Sequence, residues 1–133
     1  MGLVARSTSV PIATGERLTT KWEFPQILEN DAAAIIQVNV GLNGLLESKK
    51  IAGMAEAHYA AIAPHNPLGP ISLAAGIQLA ASIPNFLCQE QVSLGEGYLK
   101  KPFTVREGYL DLPTGPGLGI ELDERRLAEL RQQ

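Results

Sequence analysis

The sequence predicts an α/β fold built on parallel strands, and three observations carry that expectation. Between residues 9 and 91, short apolar runs alternate with longer stretches patterned as helices. One of those runs, "AAIIQVNV" (33–40), is β-branched and nearly continuous in apolar character, as a strand buried on both faces should be. The stretches between the runs are long enough to act as right-handed crossovers, and such connections join parallel neighbours.

The elements follow in order. "SVPIATG" (9–15) is a short apolar run closed by a glycine, with Glu16 directly after it. Residues Trp22 to Asn30 read as a helix, with Phe24, Ile27 and Leu28 apolar at helical spacing. After the strand at 33–40, "GLLESKKIAGMAEAHYA" (44–60) reads as a surface helix. Its small or apolar stripe is Leu45, Ser48, Ala52, Ala55 and Tyr59, while Glu47, Lys49, Lys50 and Glu56 lie off the stripe. "AAIAP" (60–64) is the next strand. "ISLAAGIQLAASI" (71–83) is so apolar that it should be a largely buried helix, ended by Pro84-Asn85. "FLCQEQ" (86–91) is a further strand. Beyond Gln91 the alternation gives way to repeated Gly and Pro, with short extended pieces at Phe103–Val105 and Tyr109–Leu112. Asp123 can cap a last helix at 124–133, to which Leu127 and Leu130 give a thin apolar edge. "TGPGLG" (114–119) lacks both the dinucleotide spacing and the lysine of a phosphate loop, so it reads as a turn.

Composition narrows the function classes. A chain of 133 residues suits one domain. With 45% hydrophobic and 19% charged residues it has the balance of a folded globule, which excludes a disordered chain. Lys plus Arg number 11 against 14 Asp plus Glu, a net charge of −3, so no basic face for nucleic acid is expected. The lone Cys88 has neither a disulfide partner nor neighbours at metal spacing, which fits a reducing, cytoplasmic setting. No apolar run approaches the ~20 residues that span a bilayer, so no membrane role is expected. The N-terminus has no secretory apolar core, and Arg6 stands where an N-myristoylation signal needs Ser or Thr.

Four polar residues occupy equivalent places. Glu16 follows the first apolar run, Asn39 is near the end of the second, His65 follows the third, and Glu90 is near the end of the fourth. In parallel α/β architectures the carboxyl ends of adjacent strands converge on one crevice and gather the chemistry. Each residue also has an ordinary reading: a capping carboxylate for Glu16, a turn-former for Asn39, a loop histidine for His65 and a solvated carboxylate for Glu90. Their joint placement is what favours a site. Pro64 and Pro67 stiffen the chain on both sides of His65, as a proton-transfer group requires. His58, on the charged side of its helix, reads as surface.

The stretches "PIATGERL" (11–18), "IIQVNVGLNGLLESKKIAGMAEAH" (35–58), "IAPHNPLGPISLAA" (62–75), "PNFLCQEQ" (84–91) and "PGLGIELDE" (116–124) resemble the C-terminal part of acid-sugar dehydratases. These are of the galactonate-dehydratase type, in the mandelate racemase/muconate lactonizing branch of the enolase superfamily. The resemblance implies the C-terminal part of a (β/α) TIM-type barrel, residues 1–100, and a return segment, 101–133, that packs toward a capping domain. It implies that Glu16 is a Mg²⁺ ligand, that His65 is the catalytic acid/base assisting a departing β-hydroxyl, and that Glu90 holds the substrate or enediolate. Asn39 stands where the family usually carries an Asp in "QPD". Its amide oxygen is expected to accept from the imidazole N–H and orient the ring, without the charge that would stabilise an imidazolium.

The implied reaction is Mg²⁺-dependent loss of water from a sugar acid such as galactonate. Racemisation or epimerisation of a 2-hydroxy acid is the alternative within enzymes, and a non-catalytic remnant or assembly module the alternative outside them. A full barrel takes ~250 residues. This chain alone is therefore expected to be inactive, to bind Mg²⁺ weakly or not at all, and to self-associate as a homo-oligomer through uncovered sheet edges and an apolar face.

Overall fold

The computed structural model describes residues 1–132. Strands β1 (Ala13–Thr14), β2 (Ile35–Ile36) and β3 (Ala61–Ile62) form a parallel sheet in that order. Ala13 lies opposite Ile35, and Ile35 opposite Ala61. Backbone pairing runs past these short strands. Gln37 N–H donates to Thr14 O at 2.8 Å, Ala63 N–H to Ile36 O at 3.0 Å and His65 N–H to Val38 O at 3.0 Å. The fourth run contributes a single parallel bridge, Phe86 to Ile62. Phe86 and Leu87 remain 40% and 55% exposed, so "FLCQEQ" lacks the covered face that would extend it into a full strand. Asn85 anchors its start by donating from Nδ2 to Ala52 O and Ala60 O at 3.1 and 3.0 Å.

Alternation along the strands decides what is buried. Ile36, Val38, Ile62 and Pro64 turn to the helices and are fully buried, whereas Ile35, Gln37, Ala61 and Ala63 face the other way and are only partly covered. The run 33–40 is therefore buried on one face, where its composition predicts two.

The helices follow their local chemistry. A short α1 (Gly2–Arg6), not foreseen in the sequence, opens the chain. The helix expected at 22–30 is divided into a 3-10 turn (Lys21–Glu23) and α2 (Pro25–Leu28). Pro25 has no N–H with which to continue the ladder, so it starts a new element at N1. Glu23 closes the 3-10 turn by accepting from the N–H groups of Thr19 and Thr20 at 3.0 and 2.9 Å, and these bonds hold its carboxyl below the usual range. Lys21 reaches Glu47, in the helix Val40–Ala57, at 2.7 Å; that ammonium, then Lys50, lowers the Glu47 carboxyl in the same way.

Helix α3 (Val40–Ala57) is broken at Gly44, whose φ of 73° and ψ of 164° leave the helical region. Its long second part, beginning just after Gly44, is the helix read from the sequence. Ser48, Ile51, Ala52 and Ala55 are fully buried, but Leu45 is 41% and Tyr59 99% exposed. The stripe stops at Ala55 because the helix ends at Ala57 and Tyr59 turns out with a positive φ of 58°. Helix α4 (Pro70–Ala80) buries Leu73, Ala74, Gly76, Ile77 and Leu79, as its apolar composition predicts, and stops short of residue 83.

Beyond the sheet, Leu99 bridges Leu122. Strands β4 (Val105–Arg106) and β5 (Tyr109–Leu110) form a hairpin turning on Glu107-Gly108, both at positive φ. Asp123 caps α5 (Glu124–Leu130) by accepting from Arg126 N–H at 3.0 Å. The "TGPGLG" stretch is a turn, held to α4 by Gln78 Nε2 donating to Pro113 O and Leu118 O. Among the described residues no helix is long and apolar enough to cross a membrane.

The core joins Phe24 and Leu28 to Ile36 and Val38 of the sheet and to Ile51, Ala52 and Ala55 of α3. Phe24 lies so close to Gly15 that a Cβ there would sit 3.1 Å from its ring and 3.5 Å from Ile36 Cγ2. Replacing Phe24 with Ala should cost about 3–5 kcal/mol in urea unfolding. Trp22→Ala, at a ring that is 77% exposed two residues away, should stay within about 0.5 kcal/mol.

Candidate active site at the strand ends

Because the three strands run in parallel, their carboxyl ends lie along one edge of the sheet. Glu16 follows β1, Asn39 follows β2, His65 follows β3, and Glu90 follows the bridge at Phe86. Three of the four residues meet there in a continuous chain of contacts.

Asn39 is the N-cap of α3 and is 3% exposed. Its Oδ1 accepts from Leu42 N–H at 3.2 Å, an N-cap bond that this N–H shares with the Asn39 backbone oxygen at 3.2 Å. With the oxygen committed to the helix, Nδ2 faces the His65 ring and lies 3.1 Å from Nδ1. The sequence predicts the opposite polarity, an amide oxygen accepting from the ring. The structure reverses it because the same oxygen is needed as the cap. Space around this amide is tight: a Cβ on Gly41 would approach Oδ1 to 3.2 Å and Leu68 Cδ1 to 2.7 Å.

His65 is held from both directions along the chain. Pro64 and Pro67 carry no N–H, so His65 and Asn66 supply the only backbone donors in this run, and both are used. His65 N–H pairs with Val38 O, and Asn66 N–H donates to Glu90 Oε2 at 2.8 Å. The ring is 22% exposed, and its Nε2 is 3.8 Å from the same Oε2 of Glu90. That gap is too long for a direct hydrogen bond. It leaves both groups free to bond a third oxygen placed beside them. Gln89 adds a second tie between the two segments, donating from Nε2 to Pro64 O at 3.1 Å.

Glu16 follows Gly15, whose φ of 115° is open to glycine alone without strain. Among the described residues no hydrogen bond or ion pair engages the Glu16 carboxylate, and no three His, Cys, Asp or Glu side chains converge as a metal site. Glu16 fits one position in a Mg²⁺ shell as a hard oxygen donor, but Mg²⁺ binds in a near-octahedral set of oxygens. The described residues do not complete that set, and no step is derived through the metal. His58 is exposed at the end of α3, as its place on the charged helix face predicts.

Two contributors were missed in the sequence. Asn66 is 1% exposed and acts through its backbone N–H, for which a one-letter code carries no signal beyond its position between two prolines. Gln89 precedes a candidate carboxylate and looks like spacing, yet it clamps the neighbouring strand end. The Glu90 carboxylate is the one acceptor for Asn66 N–H, so Glu90→Ala should cost about 1–2 kcal/mol in urea unfolding. Glu90→Gln keeps an oxygen in that place and should fall within about 0.5 kcal/mol of the parent chain.

Comparison with known proteins gives this geometry its context. A family model for the enolase C-terminal domain-like proteins matches residues 1–126. A D-galactonate dehydratase from Ralstonia nicotianae is 41% identical over 138 residues, covering 95% of this chain and 36% of that protein. A crystal structure of a mandelate racemase/muconate lactonizing enzyme from Sulfitobacter sp. superposes with a TM-score of 0.86 at 48% identity, covering 93% of this chain and 32% of that one. An enolase from Agrobacterium radiobacter, solved with bound Na and L-malate, superposes with a TM-score of 0.88 at 31% identity, covering 96% of this chain and 37% of that one. The chain spans about a third of the length of the curated relatives it matches.

Proposed function

We propose a function from the premise that this chain belongs to the enolase C-terminal domain-like family. It forms the C-terminal part of the family's barrel, and in a complete barrel it serves the dehydration of a sugar acid of the galactonate class. The observation that carries the reading is the Asn39–His65–Glu90 contact chain at the carboxyl edge of the sheet. The galactonate dehydratases that share about two-fifths of its residues support the substrate class. The L-malate in the related enolase is itself a 2-hydroxy acid.

The substrate is an acid with hydroxyls on C2 and C3. Loss of the C2 proton, next to the carboxylate, gives an enediolate. The C3–O bond then breaks, the β-hydroxyl leaves, and the resulting enol becomes a 2-keto-3-deoxy acid. In the net reaction the C2–H and C3–O bonds break: a base outside this chain takes the C2 proton, a proton returns through the site to the departing hydroxyl, and ketonisation moves the enol proton to C3, so one water is released. His65 acts on the departing oxygen from Nε2, as a group held at a stiff strand end can. Glu90, with one oxygen fixed by Asn66 N–H, accepts from a substrate hydroxyl and sets its position beside the ring. Glu16 supplies one oxygen ligand for Mg²⁺ in the complete barrel, where the metal would favour charge on the substrate carboxylate.

The test is a chimera. The segment of the Ralstonia nicotianae enzyme that aligns with this chain is replaced by residues 1–133, and the folded product is incubated with galactonate and Mg²⁺. The expected result is a 2-keto-3-deoxy product that falls at least about 100-fold when His65 is changed to Ala, the scale of a lost acid–base group. A folded chimera that exchanges the C2 proton with solvent but releases no water would refute the dehydration reading.

A further inference from the structure

We infer that Asn39 is a positioning residue that holds neutral His65 in its Nε2–H tautomer, so that the ring meets substrate as a donor to oxygen and not as a base toward an α-proton. The inference rests on the sugar-acid reading for the identity of that oxygen, but the tautomer follows from this chain's geometry alone.

A primary amide has one acceptor atom and one donor group. The Asn39 oxygen accepts from Leu42 N–H at the start of α3, which leaves its NH₂ 3.1 Å from His65 Nδ1. An NH₂ group can only donate, so Nδ1 must be the accepting nitrogen. A neutral imidazole with a lone pair on Nδ1 carries its proton on Nε2. Nε2 is the atom that faces the Glu90 carboxylate across 3.8 Å, so the pair offers a substrate hydroxyl one donor and one acceptor side by side. Such a hydroxyl can accept from Nε2–H while donating to Glu90.

The alternatives are costly for a reason built into the fold. Moving the proton to Nδ1 sets an N–H against the Asn39 NH₂. Relief requires the amide to turn over, and that sets NH₂ against Leu42 N–H, which then keeps only its bond to the Asn39 backbone oxygen. The amide has little room to adjust otherwise, being 3% exposed with Gly41 packed beside it. The ring's proton is thus tied to the helix cap through a single side chain. A base that takes a proton from carbon would need a free lone pair on Nε2, the atom that here carries the hydrogen. Asn39 therefore favours assistance to a leaving hydroxyl over proton exchange at carbon.

The experiment is ¹⁵N NMR of the histidine ring nitrogens in this chain, with His58, exposed at the C-terminal end of α3, as the unconstrained reference. The expected result is a protonated Nε2 and an unprotonated Nδ1 for His65, with a mixture of tautomers for His58. Asn39→Asp keeps a capping oxygen for Leu42 but sets a second acceptor against Nδ1, so it should move the His65 proton to Nδ1. Asn39→Ser keeps the cap and has no NH₂, so His65 should become a mixture like His58. Should the aspartate variant fail to fold, the serine variant decides. A His65 ring protonated on Nδ1 in the parent chain, or a tautomer unchanged in Asn39→Ser, would overturn the inference. Either result leaves the dehydration reading to stand or fall by the chimera's product.

Discussion

The site depends on a parallel ladder that continues beyond the strands proper. Ile36 and Val38 accept from Ala63 and His65, so two chain segments are fixed in register up to the point where helix and loop begin. In a parallel pair the bonds are evenly spaced and set the register residue by residue. The bond from His65 N–H to Val38 O fixes the register that brings the next residue, Asn39, against the imidazole. Without that last bond, the cap of α3 and the histidine of the Pro64–Pro67 run would belong to separate parts of the surface.

The ladder holds because one face of the sheet is packed. Ile36, Val38 and Ile62 are withdrawn from water against Phe24, Leu28, Ile51 and Ala55, and burial on this scale contributes roughly 1.5–3 kcal/mol for each large side chain. A one-residue slip of the β2 segment would turn Ile36 and Val38 to the open face and bring Gln37 into the core. Apolar burial thus protects the polar geometry at the strand ends. The opposite face, with Ile35, Gln37, Ala61 and Ala63, is only partly covered.

Much of this was legible from residues alone, for identifiable reasons. The alternation of apolar runs and helical stretches gave the parallel order, and the Ala-rich pattern after Gly44 marked the buried side of α3 as far as Ala55. Pro64 and Pro67 pointed to a fixed histidine. Properties that depend on neighbours were hidden. Composition cannot say whether an apolar run is covered on one face or two, which is why 33–40 read as doubly buried and 86–91 as a full strand. Pro25, visible in the letters, split a helix that apolar spacing favoured. At the site, the residue types of Asn39, His65 and Glu90 were apparent. The polarity of the Asn39 bond was not, because it is decided by a competing claim on the same oxygen from Leu42. The roles of Asn66 and Gln89 were hidden in the same way, since they act through a backbone N–H and a strand-to-strand clamp.

The most direct measurement of the central claim is a double-mutant cycle between Asn39 and His65, read by urea unfolding of this chain. Asn39→Ser is the first arm, since it keeps the helix cap, and His65→Phe is the second, since it keeps a planar ring in the same space. A hydrogen bond across the extended ladder predicts a coupling of about 0.5–1.5 kcal/mol. Strict additivity, within about 0.3 kcal/mol, would show that the two side chains do not meet and would contradict the register on which the site is built.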